Sequence, residues 1–200
     1  MKTLAELEKY VLNSRARSPI EFVSNLTLYF LQSIFSQRET GNYKFDSDEN
    51  KTEITICTEY SDLSNESTMP AIVYVRGPLS NGPSTMSNSL SSLSLNTNKS
   101  YHMNLLNISS TLIVIHRNVS ECEQLASELF ILIKAFQIEL KKLGLSEVIP
   151  QSIGETQSIH PDANPGLYLI PISISYTLSD SWNLEPAAIS RLRNVLIKQN

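Results

Sequence analysis

The chain has 200 residues, 41% of them hydrophobic, and carries 20 acidic against 16 basic side chains, for a net charge of −4. That is apolar material enough for the core of one sizeable domain, and the basic residues are scattered, which argues against tight binding to nucleic acid through clustered phosphate contacts. No apolar run approaches the ~20 residues that span a bilayer, and the N-terminus mixes Lys and Glu with apolar residues, unlike the apolar core of a signal peptide.

In chain order, Leu4, Leu7, Val11 and Leu12 give a short amphipathic helix that stops at the polar break 14–18. Ser18 then reads as a helix cap, Pro19 suits the first helical position, and Glu21 completes a capping box, so a helix is expected over 19–35. Its face of Phe22, Val23, Leu26, Tyr29, Phe30, Ile34 and Phe35 is wide and aromatic and calls for a sheet to pack on. Alternation over 54–58 predicts a strand, and after a polar loop at 61–68 the β-branched run 70–77, bounded by Pro and Gly, predicts an interior one. Residues 79–100 are Ser- and Asn-rich with almost no charge, and are expected as a long loop or loosely held hairpin, either one that orders on contact with a partner or a plain surface insertion.

A long strand is expected over 101–116, with a bulge or bend at 107–110. Ser120 and Glu123 have capping-box spacing, so a helix should run from 120 to 143, its stripe being Leu125, Leu129, Leu132, Ile133, Phe136, Leu140 and Leu143 and its end Gly144. Strands follow over 145–158 and 166–178. In the latter, Tyr168, Ile170, Ile172, Ile174, Tyr176 and Leu178 point one way and Ser173, Ser175 and Thr177 the other, as in a sheet with one covered face. Pro171 cannot donate to a ladder, which places this strand at an edge or gives it a bulge there. A final helix over 186–198 has Ile189, Leu192, Val195 and Leu196 on one side. The expected fold is a single α+β domain over 1–200: a mostly antiparallel sheet of about four to six strands on two main helices, with extra helices at both ends.

The chain offers little catalytic vocabulary. The stretch 46–50 begins like a calcium loop but has Lys51 where glycine must turn and Cys57 where a bidentate glutamate is required. His102, His116 and His160 lack ligand spacing, and there is no GxSxG elbow, GxxxxGK[ST] loop or GxGxxG turn. Cys57 and Cys122 fall in an expected strand and helix start, outside any CxxC or Cys/His cluster, and read as unpaired thiols of a reducing compartment. The Asn-x-Ser/Thr triplets at Asn25 and Asn118 carry no meaning without secretion. No catalytic, metal or cofactor site is expected. The candidates for contact with a partner are Arg76 at the end of an apolar strand, the polar-face residues Ser173 and Ser175, and Trp182, the one tryptophan.

The order of elements resembles the tail terminator family of long-tailed bacteriophages. The likeness is carried by residues 69–77 (Met-Pro-Ala-Ile-Val-Tyr-Val-Arg-Gly), similar to that family's second strand, by the strand-to-helix passage 110–143, and by the alternating strand 166–178. It covers roughly residues 19–178, with the first helix, the serine-rich segment and the last helix as additions. The resemblance implies a virion protein, assembled in the host cytoplasm, that forms a homo-oligomeric ring, usually a hexamer. Such a ring caps the finished tail tube and meets the head connector, while DNA passes through without specific binding. Head-to-tail completion proteins share this layout and stay open as an alternative. Two other classes are a hydrolase with His102 or His116 as base and Ser173 or Asp162 nearby, and an adaptor that binds a peptide along an exposed strand edge.

Overall fold

The computed structural model describes residues 18–37, 43–48, 51–58, 69–81, 89–94, 99–158 and 166–184. The helices expected at 4–12 and 186–198, the loop at 61–68, His160 and Asp162 lie outside the described residues.

Helix α1 spans Pro19–Ser36, with Ser18 extended at the cap and its hydroxyl accepting from the Glu21 N–H at 3.4 Å. Its buried side is Phe22, Val23, Leu26, Thr27, Leu31 and Phe35. Thr27 and Leu31 therefore replace the expected Tyr29 and Ile34, because the contact follows the i, i+4 ridge 23–27–31–35. Thr27 can be buried because its hydroxyl is satisfied. It donates to Val23 O at 2.8 Å, and lies 3.1 Å from the phenol oxygen of Tyr176 in the sheet.

The strands are β1 Thr55–Cys57, β2 Ala71–Asn81, β3 Ser89–Ser94, β4 Lys99–His116, β5 Glu147–Ile153, β6 Gln157–Ser158 and β7 Tyr168–Leu184. They form one sheet ordered β1-β2-β4-β7-β5, with β3 added beside β4 and β6 beside β7. Only the β1–β2 pair is parallel. The fold is α+β as expected, its five-strand main path extended by two short strands. Between β4 and β5 run helix α2, Val119–Ala135, and the short helix α3, Gln137–Lys142.

Both main helices pack on one face of the sheet. There Ile72 and Tyr74 of β2, Ile108, Leu112 and Val114 of β4, and Ile170, Ile172, Ile174, Tyr176 and Leu178 of β7 join Cys122, Leu125, Ala126, Leu129 and Ile133 of α2 in one buried cluster with the α1 residues. The period-2 pattern of β7 is thus realised as expected. On the opposite face a smaller cluster of Ala71, Val73 and Ile115, flanked by Cys57, Met69, Val75, Ile113, Leu167 and Leu169, sits at one end of the sheet.

Four local expectations are corrected. The cap of α2 is Asn118, whose side-chain oxygen accepts from Ser120 N at 3.0 Å, while Glu123 Oε1 accepts from the Thr156 hydroxyl at 3.2 Å. The helix also turns at Phe136, whose ring meets Phe30 of α1 edge-on at 5.4 Å, before α3 ends near Gly144 at φ 114°. The irregularity expected in β4 at 107–110 lies in its neighbour instead. β4 pairs with β7 without a shift, whereas β2 slips between Arg76 and Leu79, so Gly77 and Pro78 stand against the single residue Ser109. In the segment 79–100 the long loop gives way to the hairpin: 79–81 continue β2, and β3 at 89–94 pairs antiparallel with β4, which begins at Lys99.

The fourth correction concerns Pro171, which is neither at an edge nor bulged. β7 has β4 on one side and β5 and β6 on the other. The Pro171 carbonyl accepts from Gly154 N at 2.7 Å, so the position that would carry its N–H faces the gap between the end of β5 at Ile153↔Ile172 and the start of β6 at Gln157↔Leu169. An interior strand tolerates proline here because the break is in the neighbouring strand.

Candidate functional site

The face of the sheet away from the helices changes character along its length. Past the small apolar cluster, β4 contributes Asn107, Ser109 and Thr111 and β7 contributes Thr177, Ser175 and Ser173, paired in that order and all half-exposed. Thr177 Oγ1 donates to Asn107 Oδ1 at 3.2 Å. On the β5 side Ile149, 43% exposed, stands against Ser175, and the exposed Glu147 stands against Thr177. These six side chains are hydroxyls and one amide with no charge among them. They can hydrogen-bond a polar partner or water, but they neither attract nor repel phosphate.

Of the four candidate contact residues, the structure brings Ser173 and Ser175 together on this surface. It does not add the others. Arg76 is exposed but in register with Ser110, on the helix-bearing side that it shares with Ile72 and Tyr74. Trp182 pairs through its backbone with His102, far along β7 where the sheet runs beyond the helices. The hydrolase pairing of His116 with Ser173 does not form either. His116 belongs to the helix-bearing side, in register with Tyr168, whereas Ser173 lies on the opposite face in register with Thr111.

A polar network that the sequence did not announce lies where β4 ends. Tyr43, held at φ 75°, donates to Glu121 Oε2 at 2.6 Å and lies 3.1 Å from His116 Nε2, which is itself 3.1 Å from Glu121 Oε2. The Asn118 backbone N–H donates to His116 Nδ1 at 2.9 Å. With Nδ1 an acceptor, the ring proton resides on Nε2 and points to the carboxylate and phenol. Burial, followed by the Glu121 hydrogen bond and charge, pushes the Tyr43 phenol up to about 12. The hollow beside it, lined by Tyr43, Glu121, Gln124, Leu125 and Glu128, measures about 20 Å³, room for about one water. The network ties the 43–48 segment to the start of α2 and the end of β4. Its members lie 73 and 78 residues apart, with no motif spacing to reveal them.

Next to it, the Cys122 thiol contacts the carbonyl oxygens of Val114 at 3.6 Å and Tyr168 at 3.7 Å. Burial, then the charge of Glu123, pushes it up to about 11, against a smaller lowering by a backbone hydrogen bond at His116. Such a thiol is a packing residue rather than a nucleophile. Neither cysteine forms a disulfide. In the former calcium-loop candidate, Asp46 Oδ1 accepts from Asp48 N at 3.0 Å and Asp48 pairs with Lys51 at 3.3 Å, so the carboxylates close a turn. Among the described residues no cluster of His, Cys, Asp and Glu is placed to hold a metal, and no helix is long and apolar enough to cross a membrane. An open hollow of about 440 Å³ lies between α1 and the 43–48 segment, lined by Tyr29, Gln32, Ser33, Lys44, Phe45 and Asp46 among others. A scan of protein-family models and a search of curated proteins return no match to this chain.

Proposed function

We propose that the protein is a structural component of a phage-type tail, a terminator whose ring caps the tail tube and meets the head connector. The observation that carries this reading is the sheet itself. Its helices cover one face, and along much of its length the other presents Asn107, Ser109, Thr111, Ser173, Ser175 and Thr177, a run of uncharged polar side chains with one carboxylate, Glu147, beside Thr177 at its β5 border. A conduit for DNA is served by a wall that is poor in charge and free of basic side chains, because basic side chains would retain phosphate. The order of elements that resembles the terminator family supports the same reading. A neck protein of the same layout is the alternative within this class.

The function is tested with polymerising tube subunits. Added protein should limit tube length in proportion to the number of ends, with about one ring per end, and should need no cofactor or metal. His116→Ala costs about 1–3 kcal/mol, because it removes a buried acceptor from the Asn118 N–H. Variants that still fold should cap tubes as the wild type does. Loss of capping in a stably folded His116→Ala variant, together with turnover of a small substrate by the wild type, would overturn the structural reading in favour of an enzyme.

A further inference from the structure

The borders of the sheet are not alike. Among the described residues β1 is three residues long, β6 two, and β5 carries Glu147, Pro150 and a register slip after Pro150. Short length, charge, proline and bulges are the devices by which natural edges refuse another strand. At the other end those devices are missing from β3. It reads Ser-Leu-Ser-Ser-Leu-Ser, and the sequence around it has no charged residue from Gly77 to Asn98. Beside it β4 and β7 run on together to the pair Ser100↔Leu184, past Ile108 and Leu178, the outermost residues of the two strands in the helix-covered core. All 17 residues of β7 pair with β4, which at ~3.4 Å per residue is roughly 55 Å. A compact chain of this size has a radius of gyration of only about 16 Å. Among the described residues the three-stranded end β3-β4-β7 is therefore a projection, with β3 on one border and the stretch 180–184 of β7 on the other.

Backbone direction and parity match these two borders to each other. β3 is antiparallel to β4 and β4 to β7, so β3 and β7 run the same way. The carbonyls of Pro171 and Thr177 accept from Gly154 and Ser146, which shows that odd-numbered residues of β7 turn their backbone groups away from β4. Ser181 and Asn183 thus turn theirs outward. The same alternation carried through β4 turns the backbone groups of Ser89, Ser91 and Leu93 outward on β3. Parallel strands bond by interleaving outward residues, and three on one border interleave with two on the other.

We infer that β3 of one copy pairs in parallel with the 180–184 stretch of β7 in the next copy, with Ser89 opposite Asp180, so that successive projections join into a closed β-cylinder. The occupant is a second copy rather than a foreign peptide because the projection supplies both halves of the joint, in one layer and with one direction. A head-to-tail joint of this sort closes into rings, whereas a two-fold joint would set β3 against β3. This inference rests on the ring reading and specifies its contact.

The test uses full-length protein, alone and on tube ends. Ser89→Cys combined with Asp180→Cys should give disulfide-linked ladders up to a closed ring under mild oxidation, and each single variant should give none. Ser91→Pro deletes one outward N–H and leaves the β3–β4 bonds in place. It should melt like the wild type yet lose the oligomer and the capping of tubes. Linked dimers from Ser89→Cys alone would show a two-fold joint and overturn the proposal. A wild type that forms rings and caps tubes while Ser91→Pro does the same would overturn the strand joint but leave the ring reading intact. A wild type that neither assembles nor caps would overturn both.

Discussion

Gly77 sits in the β2 bulge where the strand slips one residue against β4, and a Cβ built there would lie 2.4 Å from Ser109 Oγ, 2.6 Å from Ser109 O and 3.0 Å from Ser109 C. The hydroxyl could rotate away. The carbonyl cannot, because β4 is held in register by β7 on its other side. Gly77→Ala should therefore be destabilising even though replacing a strand glycine usually gains about 0.4–1 kcal/mol through the unfolded chain. Overpacking against a fixed backbone costs about 2–3 kcal/mol, leaving a net loss of roughly 1–2.5 kcal/mol. For a domain of this size that is a fall in Tm of roughly 2–10 °C. Urea and thermal melts of Gly77→Ala, Ser109→Ala and the double variant decide the matter. Because the backbone oxygen remains, Ser109→Ala should not rescue Gly77→Ala. Full rescue, or a Gly77→Ala protein as stable as the wild type, would refute the account of the bulge.

Two further outcomes are expected. Cys122 and Tyr43 both hold their protons more tightly when folded, so the native state binds the extra proton and stability must fall as pH rises. The loss should begin near pH 9 through the thiol, whose value climbs from 9.0 to about 11, and extend towards pH 12 through the phenol, raised from 10.0 to about 12. Cys122→Ala should flatten the first part of that decline, and Glu121→Gln should move the phenol's ultraviolet titration back down. At the α1–sheet contact, Thr27→Val should cost more than Tyr176→Phe: about 1–3 kcal/mol for leaving a buried phenol without its partner, against about 1 kcal/mol for removing it. Equal losses in denaturant melts would mean that the Tyr176 hydroxyl finds another acceptor.

What could be read from the sequence was what is decided locally. Ser18, Pro19 and Glu21 fixed the start of α1 because a cap is satisfied within one turn, and the alternation in β7 announced its buried face. The cap of α2 is Asn118 rather than Ser120, and its signal is present in the sequence, because Asn118 and Ser120 form the capping turn itself. Pro171 lies in an interior strand, which the sequence does not show, because a proline reports a missing hydrogen bond without reporting which strand has the break. The network of Tyr43, His116 and Glu121 could not be read at all, since it exists only once a remote segment is laid across the end of β4. The polar surface was half legible. Ser173 and Ser175 stood out by alternation, but their partners Thr111 and Ser109 depend on a register that no single strand encodes.

The unbroken register of β4 and β7 also governs where this protein can change length. A residue inserted or deleted anywhere along that pair would turn every later side chain to the wrong face, sending Ile172 or Tyr176 into solvent and Ser173 into the core. β2 and β5 have each already absorbed one surplus residue, after Arg76 and after Pro150, without disturbing the pair between them. The central two strands act as a fixed rule, and the strands outside them as the places where the chain can gain or lose a residue and keep its fold.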